Sequence, residues 1–589
     1  MEKNLARAPR RVRRFLKNSR GNFAVMTALT LPFAIVLTAF AVDEGALYTE
    51  RRHAQAITDI AAIAANANIG SAEAVVAATL ADNGLGSVLL RPAGDTTPPL
   101  PGRPVAEVVK GRYIPNSSES VASRFKPGVQ PYNAVQVSLK KTGRLYFGSS
   151  VMAPPVIGTS AIASSTAEAS FSVGSRLLRL DGGLLNALLG GLLGGNISLS
   201  VMDYEALAKA DIGVLPFLDA LATRIGITAG TYSDVLASDV RIGQIAAAMA
   251  DVPGLDSTTR IALQTLGARS SANLLVSLRS LIDLGNVARL GIGQRPAGLD
   301  IAANVLSMLT ASAAIANGDH QVAVDLGGTL PGLGSLKLNI AIGEPPQSSP
   351  WLAVGEEGTV VRTAQTRISL VATVSPLAGN LGGGIHLLSI RLPLHVEIAY
   401  AEARLNSIEC PTGRPESIRV RVGTTPGIAE LYIAEAYGSG FADFTRRLLF
   451  RPVAIADVSL KLLLISLDLI KVKGYAHARM GNGEPIALTF TRADIDAKAV
   501  KTARTSDYTA SLTSSLIDDL KLSVEPLGLG IDLGWLLGTV TKAVSPALRG
   551  VTPAVDDLLD NVLGLLGIKL GEADVRVTGA TCGRSVLVQ

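Results

Sequence analysis

Phe23-Ala24-Val25-Met26-Thr27-Ala28-Leu29-Thr30-Leu31-Pro32-Phe33-Ala34-Ile35-Val36-Leu37-Thr38-Ala39-Phe40-Ala41-Val42 is an apolar run without a single charged side chain. As a helix it is about 30 Å long, the hydrocarbon thickness of a bilayer. No other segment equals it. Gly182 to Gly195 is apolar but shorter, and Asn186 interrupts it. Pro32 is expected to kink the helix without breaking it, because the freed backbone group can be satisfied locally. Phe23, Pro32 and Val42 thus mark the start, middle and end of a predicted membrane anchor.

The flanks orient it. Lys3, Arg7, Arg10, Arg11, Arg13, Arg14, Lys17 and Arg20 precede the run against Glu2 alone, while Asp43 and Glu44 follow it. By the positive-inside rule residues 1–20 form a cytoplasmic segment and the rest is exported, which predicts a single-pass protein of a bacterial inner membrane with a periplasmic body. Positions 1–20 carry +7 of a net +5, leaving −2 for the body, so no phosphate-binding footprint exists and nucleic acid is not an expected partner. A second reading stays open. Ala39-Phe40-Ala41 has the small-x-small form of a signal peptidase site, and cleavage there would release a soluble product starting near Val42.

Past the span, Asp43-Glu44-Gly45-Ala46-Leu47-Tyr48, Arg51-Arg52-His53-Ala54-Gln55 and Asp59-Ile60-Ala61-Ala62 lead into an Ala-rich run without proline, which predicts a helix continuing to about Asn66. This stretch resembles the N-terminal module of TadG-like proteins of Flp (tight-adherence) pilus assembly, the TadE/TadG type. The family pattern falls on Arg20, Gly21, Ala24, Asp43, Gly45, Tyr48, Arg51, Arg52, Gln55, Asp59, Ala61 and Ala62, all near the N-terminus. The related small pseudopilins carry a glutamate at the fifth position after the glycine that prepilin peptidase cuts. Here that position is Met26, so the resemblance implies a permanently anchored assembly protein rather than a fibre subunit. Long family members often carry a von Willebrand A domain with an Asp-x-Ser-x-Ser metal site. The nearest string, Asp457-Val458-Ser459-Leu460-Lys461, ends in a cation, and no such metal site is expected.

The body reads as a loop-rich globular chain: 48% hydrophobic, 17% charged, with 59 glycines and 29 prolines in 589 residues. The expected class is α+β multidomain, with a transmembrane helix running into a juxtamembrane helix over 21–66. A small β or α/β unit follows over 105–175, where Val135, Val137 and Leu139 alternate with polar residues and Val156 to Phe171 could form another strand. A helical region is expected over 176–318; within it, helical spacing from Asp203 to about Gly318 predicts an inserted bundle of four or five helices, with Asp203 and Ser233 as N-caps and breaks at Pro253-Gly254 and Gly285. Alternation at Val396, Ile398, Ile418, Val420 and Val422 predicts a β-rich domain over 319–500 with turns at Gly379-Asn380 and Gly481-Asn482-Gly483. Leu/Gly-rich helices and a closing strand complete 501–589, the helices packing on the β unit or touching the membrane or a partner.

Chemistry is sparse. The five histidines, His53, His320, His386, His395 and His477, are dispersed, and no His-Glu-x-x-His, Cys-x-x-Cys, phosphate-loop or Gly-x-Ser-x-Gly motif occurs. No catalytic residue, metal or cofactor is therefore expected. Cys410 and Cys582 both follow strand-like runs. In an oxidising periplasm a Cys410–Cys582 disulfide is expected, with two buried thiols as the alternative. Together these features predict a non-enzymatic, membrane-anchored pilus-assembly component whose partners are the inner membrane and other pilus-assembly or envelope proteins. A secreted or surface-exposed binding protein, such as an adhesin, is the alternative.

Overall fold

The computed structural model describes residues 22–174, 182–271, 273–296, 299–316, 321–325, 333–342, 350–363, 365–374, 380–382, 384–438, 440–444, 448–462, 465–480, 484–504, 512–524, 534–565 and 571–588. The fold is α+β, and the chain divides into two compact units. The first comprises Met1–Thr166, Glu409–Ser417 and Cys582–Gln589; the second comprises Ala167–Ile408 and Ile418–Thr581. The chain therefore crosses between them four times.

In the first unit α1 (Asn22–Ala67) is a single helix of 46 residues that runs through Pro32. Its C-terminal part buries Ala54, Ile57, Ala61, Ala62 and Ala65, a stripe at helical spacing. α2 (Ala72–Leu80) adds Ala72, Val76 and Leu80. The stripe packs on a sheet of β1 (Leu89–Arg91), β2 (Val105–Tyr113), β3 (Phe125–Pro127), β4 (Ala134–Thr142) and β5 (Val156–Ser164), closed by the C-terminal strand Val586–Leu587. The order is β1-β2-β4-β5 and then that strand, with β3 on β2; β1 runs parallel to β2 and the other pairs are antiparallel. Val135, Val137 and Leu139 turn toward the helix, so the alternation read from β4 is the buried face of this sheet. The alanines of α1 let its backbone lie close to the strands, which is why a helix so poor in large side chains still forms a core.

In the second unit a nine-stranded sheet includes the path Gln321–Asp325, Leu333–Ile342, Thr366–Val374, Ile385–Ile398, Ala429–Ile433, Ile465–Met480 and Val453–Leu462. Leu336, Leu338, Ile340, Ile368, Leu370, Leu392, Leu394 and Val396 belong to one core shared with the helical region and with the long helix Gly534–Leu565. Val555, Leu558, Leu559, Val562 and Leu563 of that helix are buried, so the described part of the Leu-rich C-terminal stretch is core. Leu185, Leu188, Leu189, Leu192 and Leu193 of Gly182–Leu193 are buried as well, and Asn186 is satisfied by the backbone of Leu199 and the Tyr204 hydroxyl.

The helical insertion holds eight α-helices among the described residues, seven of them in the stretch from about Asp203 onward where four or five were expected. Four of them are entered through three-residue strands, Asp211–Gly213, Asp239–Arg241, Leu275–Ser277 and Ala302–Asn304, which pair two by two. Each strand buries its middle residue, Ile212, Val240, Val276 or Ala303, in the same core. One or two buried residues of this kind do not disturb the helical periodicity on either side, so the breaks are hidden in the sequence. The caps also differ from expectation. Ser200 and Thr231 are the N-caps, while Asp203 and Asp234 occupy the third helical position and complete capping boxes. Val156 to Phe171 forms two strands rather than one, β5 in the first unit and Glu168–Gly174 in the second. Gly379 and Gly481-Asn482-Gly483 lie outside the described residues.

Candidate functional site at the exit of the anchor helix

Among the described residues, α1 is the one helix long and apolar enough to cross a membrane. Phe23 to Thr38 and Phe40 to Val42 are exposed, Phe23 by 85%, and only Ala39 is partly covered. The hydroxyls of Thr27, Thr30 and Thr38 donate to the carbonyls of Phe23, Met26 and Ala34 at 2.7–2.9 Å. The hydroxyls of this stretch are thus satisfied within the helix, as a lipid environment would demand. Residues 39–41 lie in unbroken helix.

At the first residue past the span the environment changes. Asp43 is buried, and its carboxylate accepts the backbone N–H groups of Tyr146 (2.6 Å), Phe147 (3.1 Å) and Gly148 (2.6 Å) in the β4–β5 connection. Three successive N–H groups form an anion-holding nest. Burial alone would raise this carboxyl, but the donors of Tyr146, Gly148 and Phe147 outweigh it and hold the group below the usual carboxylate range. A Cβ on Gly148 would stand 3.0 Å from the carboxylate, close enough that the Asp43 side chain would have to shift by a few tenths of an ångström. Because the folded value is depressed, the tether is complete above the ordinary carboxylate value and is lost only as pH falls through the lower, folded one. Asp43→Ala is expected to lower the protection factors of the Tyr146, Phe147 and Gly148 amides by about tenfold or more, and in the parent those protection factors should change little between about pH 5 and 8. Hydrogen exchange read by mass spectrometry in micelles checks both; unchanged protection in the variant would refute the tether.

The remaining motif residues divide into two sets. Gln55 donates to Asp59 (2.7 Å) and to the Ser160 carbonyl (3.0 Å), and the Thr58 and Thr159 hydroxyls meet at 2.7 Å, so this face ties α1 to β5. Tyr48, Arg51 and Arg52 face outward, with the Arg52 guanidinium 5.8 Å from the Tyr48 ring centre, and Gly45 borders open space. Glu50 joins the first set without having been singled out in the sequence: it pairs with Lys141 (3.4 Å) and accepts the Arg144 N–H. Arg20 and Gly21 lie outside the described residues.

Two distant segments complete this unit at the far end of α1. Cys410 and Cys582 form a disulfide, with Cα atoms 5.9 Å apart. The Asn66 amide hydrogen-bonds Ser585 (3.0 Å). A Cβ on Gly70 would touch the Thr412 backbone at 3.0 Å, which places the 409–417 loop against the helix end. Gly583 has φ +74°, and a Cβ there would lie 1.9 Å from the Thr166 carbonyl, so both conformation and space demand glycine.

In the second unit, Arg391, His395, Glu435, Arg451, Lys471 and Lys473 line a groove on the nine-stranded sheet. Burial pushes the His395 imidazole down to about 4, opposed in part by a backbone hydrogen bond at Ala434. The unfolded chain therefore binds this proton first, so stability is full above pH 6.5 and declines as pH falls toward 4, by roughly 3 kcal/mol. Urea titrations across that range should show the decline, and His395→Phe should flatten it; equal slopes in both would contradict the assignment. Asp457 accepts the Ser389 hydroxyl (2.8 Å) and lies opposite Lys471. Among the described residues no three His, Cys, Asp or Glu side chains converge as metal ligands would; His320 is outside them.

Residues 21–78 match the family described as putative Flp pilus-assembly TadE/G-like, and residues 53–163 match the one described as putative Tad-like Flp pilus-assembly. Together they cover the anchor, the Asp43 nest and the sheet through β5. Residues 181–314, the helical insertion, match a domain of unknown function, DUF8293. No curated protein and no solved structure matches the chain. Residues 21–163 thus resemble the N-terminal module of TadG-like Flp pilus-assembly proteins.

Proposed function

We propose that the protein is a non-enzymatic component of Flp pilus assembly, held in the bacterial inner membrane by residues 23–42 with its N-terminus cytoplasmic and its body periplasmic. It acts through contacts with other pilus-assembly or envelope proteins. The observation that carries this reading is the continuity of α1, whose exposed apolar half passes without a break into a half packed on the sheet of the family-matching region. Such a helix fixes the orientation of the first unit relative to the bilayer instead of merely tethering it. The basic residues before the span supply the orientation.

Deleting the gene and imaging the cell surface tests the role. Loss of Flp pili and of surface attachment, restored by the full chain, is expected; normal pili and attachment in the deletion strain would overturn it. A released adhesin predicts instead normal pili together with a soluble product starting near Val42.

A further inference from the structure

Tyr146, Phe147, Val151 and Met152 stand out in the first unit because their side chains are 56%, 58%, 88% and 55% exposed in one short loop between β4 and β5. Exposed apolar residues scattered singly need no explanation, but four clustered in one loop form a patch. The loop is not free to place itself. Its backbone is held at Tyr146, Phe147 and Gly148 by the carboxylate of Asp43, the first residue past the span. A helical span of about 20 residues fills the hydrocarbon layer, so Asp43 stands at its boundary, and the polar layer beyond is only about 6 Å thick. The nest therefore sets the loop at interfacial depth. Ala39, one helical turn toward the membrane from Asp43, is the one part-covered residue of the span. The composition fits that layer: a tyrosine and a phenylalanine at its level, with the Arg144 guanidinium 4.9 Å from the Tyr146 ring centre and able to reach lipid phosphate.

We propose that the β4–β5 loop, through Tyr146, Phe147, Val151 and Met152, seats in the interfacial layer of the bilayer that α1 crosses, a second lipid contact that fixes the tilt and rotation of the first unit. The proposal rests on residues 23–42 being a membrane span. With two points of attachment, one helix and one loop joined by the Asp43 nest, the first unit presents a fixed face to partners.

The test uses the full chain carrying Phe147→Trp, reconstituted in vesicles of phosphatidylethanolamine and phosphatidylglycerol doped with brominated phosphatidylcholine. The parent spectrum is subtracted to remove Trp351 and Trp535. Val129→Trp, exposed and beyond the opposite end of β4 by about 30 Å of strand, is the reference. The indole introduced by Phe147→Trp is expected to emit at shorter wavelength than the reference indole and to lose about half its intensity to bromines near the headgroups, with less loss to bromines near the chain ends. Tyr146→Trp should behave alike, which guards against a local defect in one variant. If the chain floats with the vesicles but neither loop indole is quenched more than the reference, the loop lies in water or against protein and the proposal fails. If the chain does not float, the span itself is refuted and the loop's seat with it.

Discussion

Cys582→Ser is expected to lower the unfolding free energy of the first unit by about 5 kcal/mol, because the bond closes a loop between residues 172 apart and removes that freedom from the unfolded chain. Its structural consequence is local and specific. Both cysteines lie on segments that return to the first unit from the second, and the C-terminal one carries Ser585 against Asn66 and Val586 against Ser164 on the edge of β5. Without the bond, residues 582–588 keep the pairing of Val586 and Leu587 with β5, the Val588 N–H bond to the Ile162 carbonyl and side-chain contacts such as Ser585 with Asn66, and lose their covalent hold. The variant should therefore lose its C-terminal tail to limited proteolysis and show a lower denaturation midpoint. The parent in reductant should behave in the same way. Equal midpoints and equal proteolysis with and without reductant would show that the bond contributes nothing.

Placing arginines at Leu31 and Ile35 should have a still larger consequence in the cell. Each charge near the middle of a span costs about 3 kcal/mol on insertion scales, so the pair opposes membrane insertion by roughly 6–7 kcal/mol once the lost apolar side chains are included. The chain should then remain in the cytoplasm, where thiols stay reduced, and fail to form the Cys410–Cys582 bond. Alkali extraction reports the membrane fraction, and a shift on non-reducing gels reports the bond. Both signals should fall together. A variant that stays in the membrane with its disulfide intact would show that these residues do not cross the bilayer.

The anchor, its continuation to Ala67 and the buried face of β4 were legible because each depends on a local pattern: an uncharged run, an Ala-rich helix, an alternation of period two. The nest around Asp43 was not. Its donors are backbone N–H groups on a loop far along the chain, and a backbone donor leaves no mark in the sequence. The run Leu145-Tyr146-Phe147 beyond the end of β4 was the only available sign, and an apolar run after a strand has many bland explanations. The composition of the first unit was hidden for the same reason. Nothing near Cys410 or Ser585 indicates that their segments belong with the end of a helix formed near the N-terminus. The helical insertion was legible in class but not in number, since its three-residue strands each contribute only one or two buried side chains.

The motif residues acquire different physical meanings once placed. Asp43 and Gln55 hold α1 to the sheet and its loop, with Asp59 accepting from Gln55 along the helix, whereas Tyr48, Arg51 and Arg52 face outward just past residues 23–42. The first set makes the helix and the sheet one body. The second leaves a cationic, aromatic face which, if residues 23–42 cross the bilayer as proposed, would stand where lipid headgroups or a partner's acidic residues meet it.

Protease digestion of cells with intact and with opened outer membranes, followed by a probe against positions 1–20, decides whether the chain crosses the inner membrane once with its body outside. If residues 23–42 form that crossing, opening the outer membrane should expose the body to the protease while a small membrane-bound N-terminal fragment survives. A body that resists until the inner membrane is lysed, or a soluble product that begins near Val42, would overturn the single-pass topology.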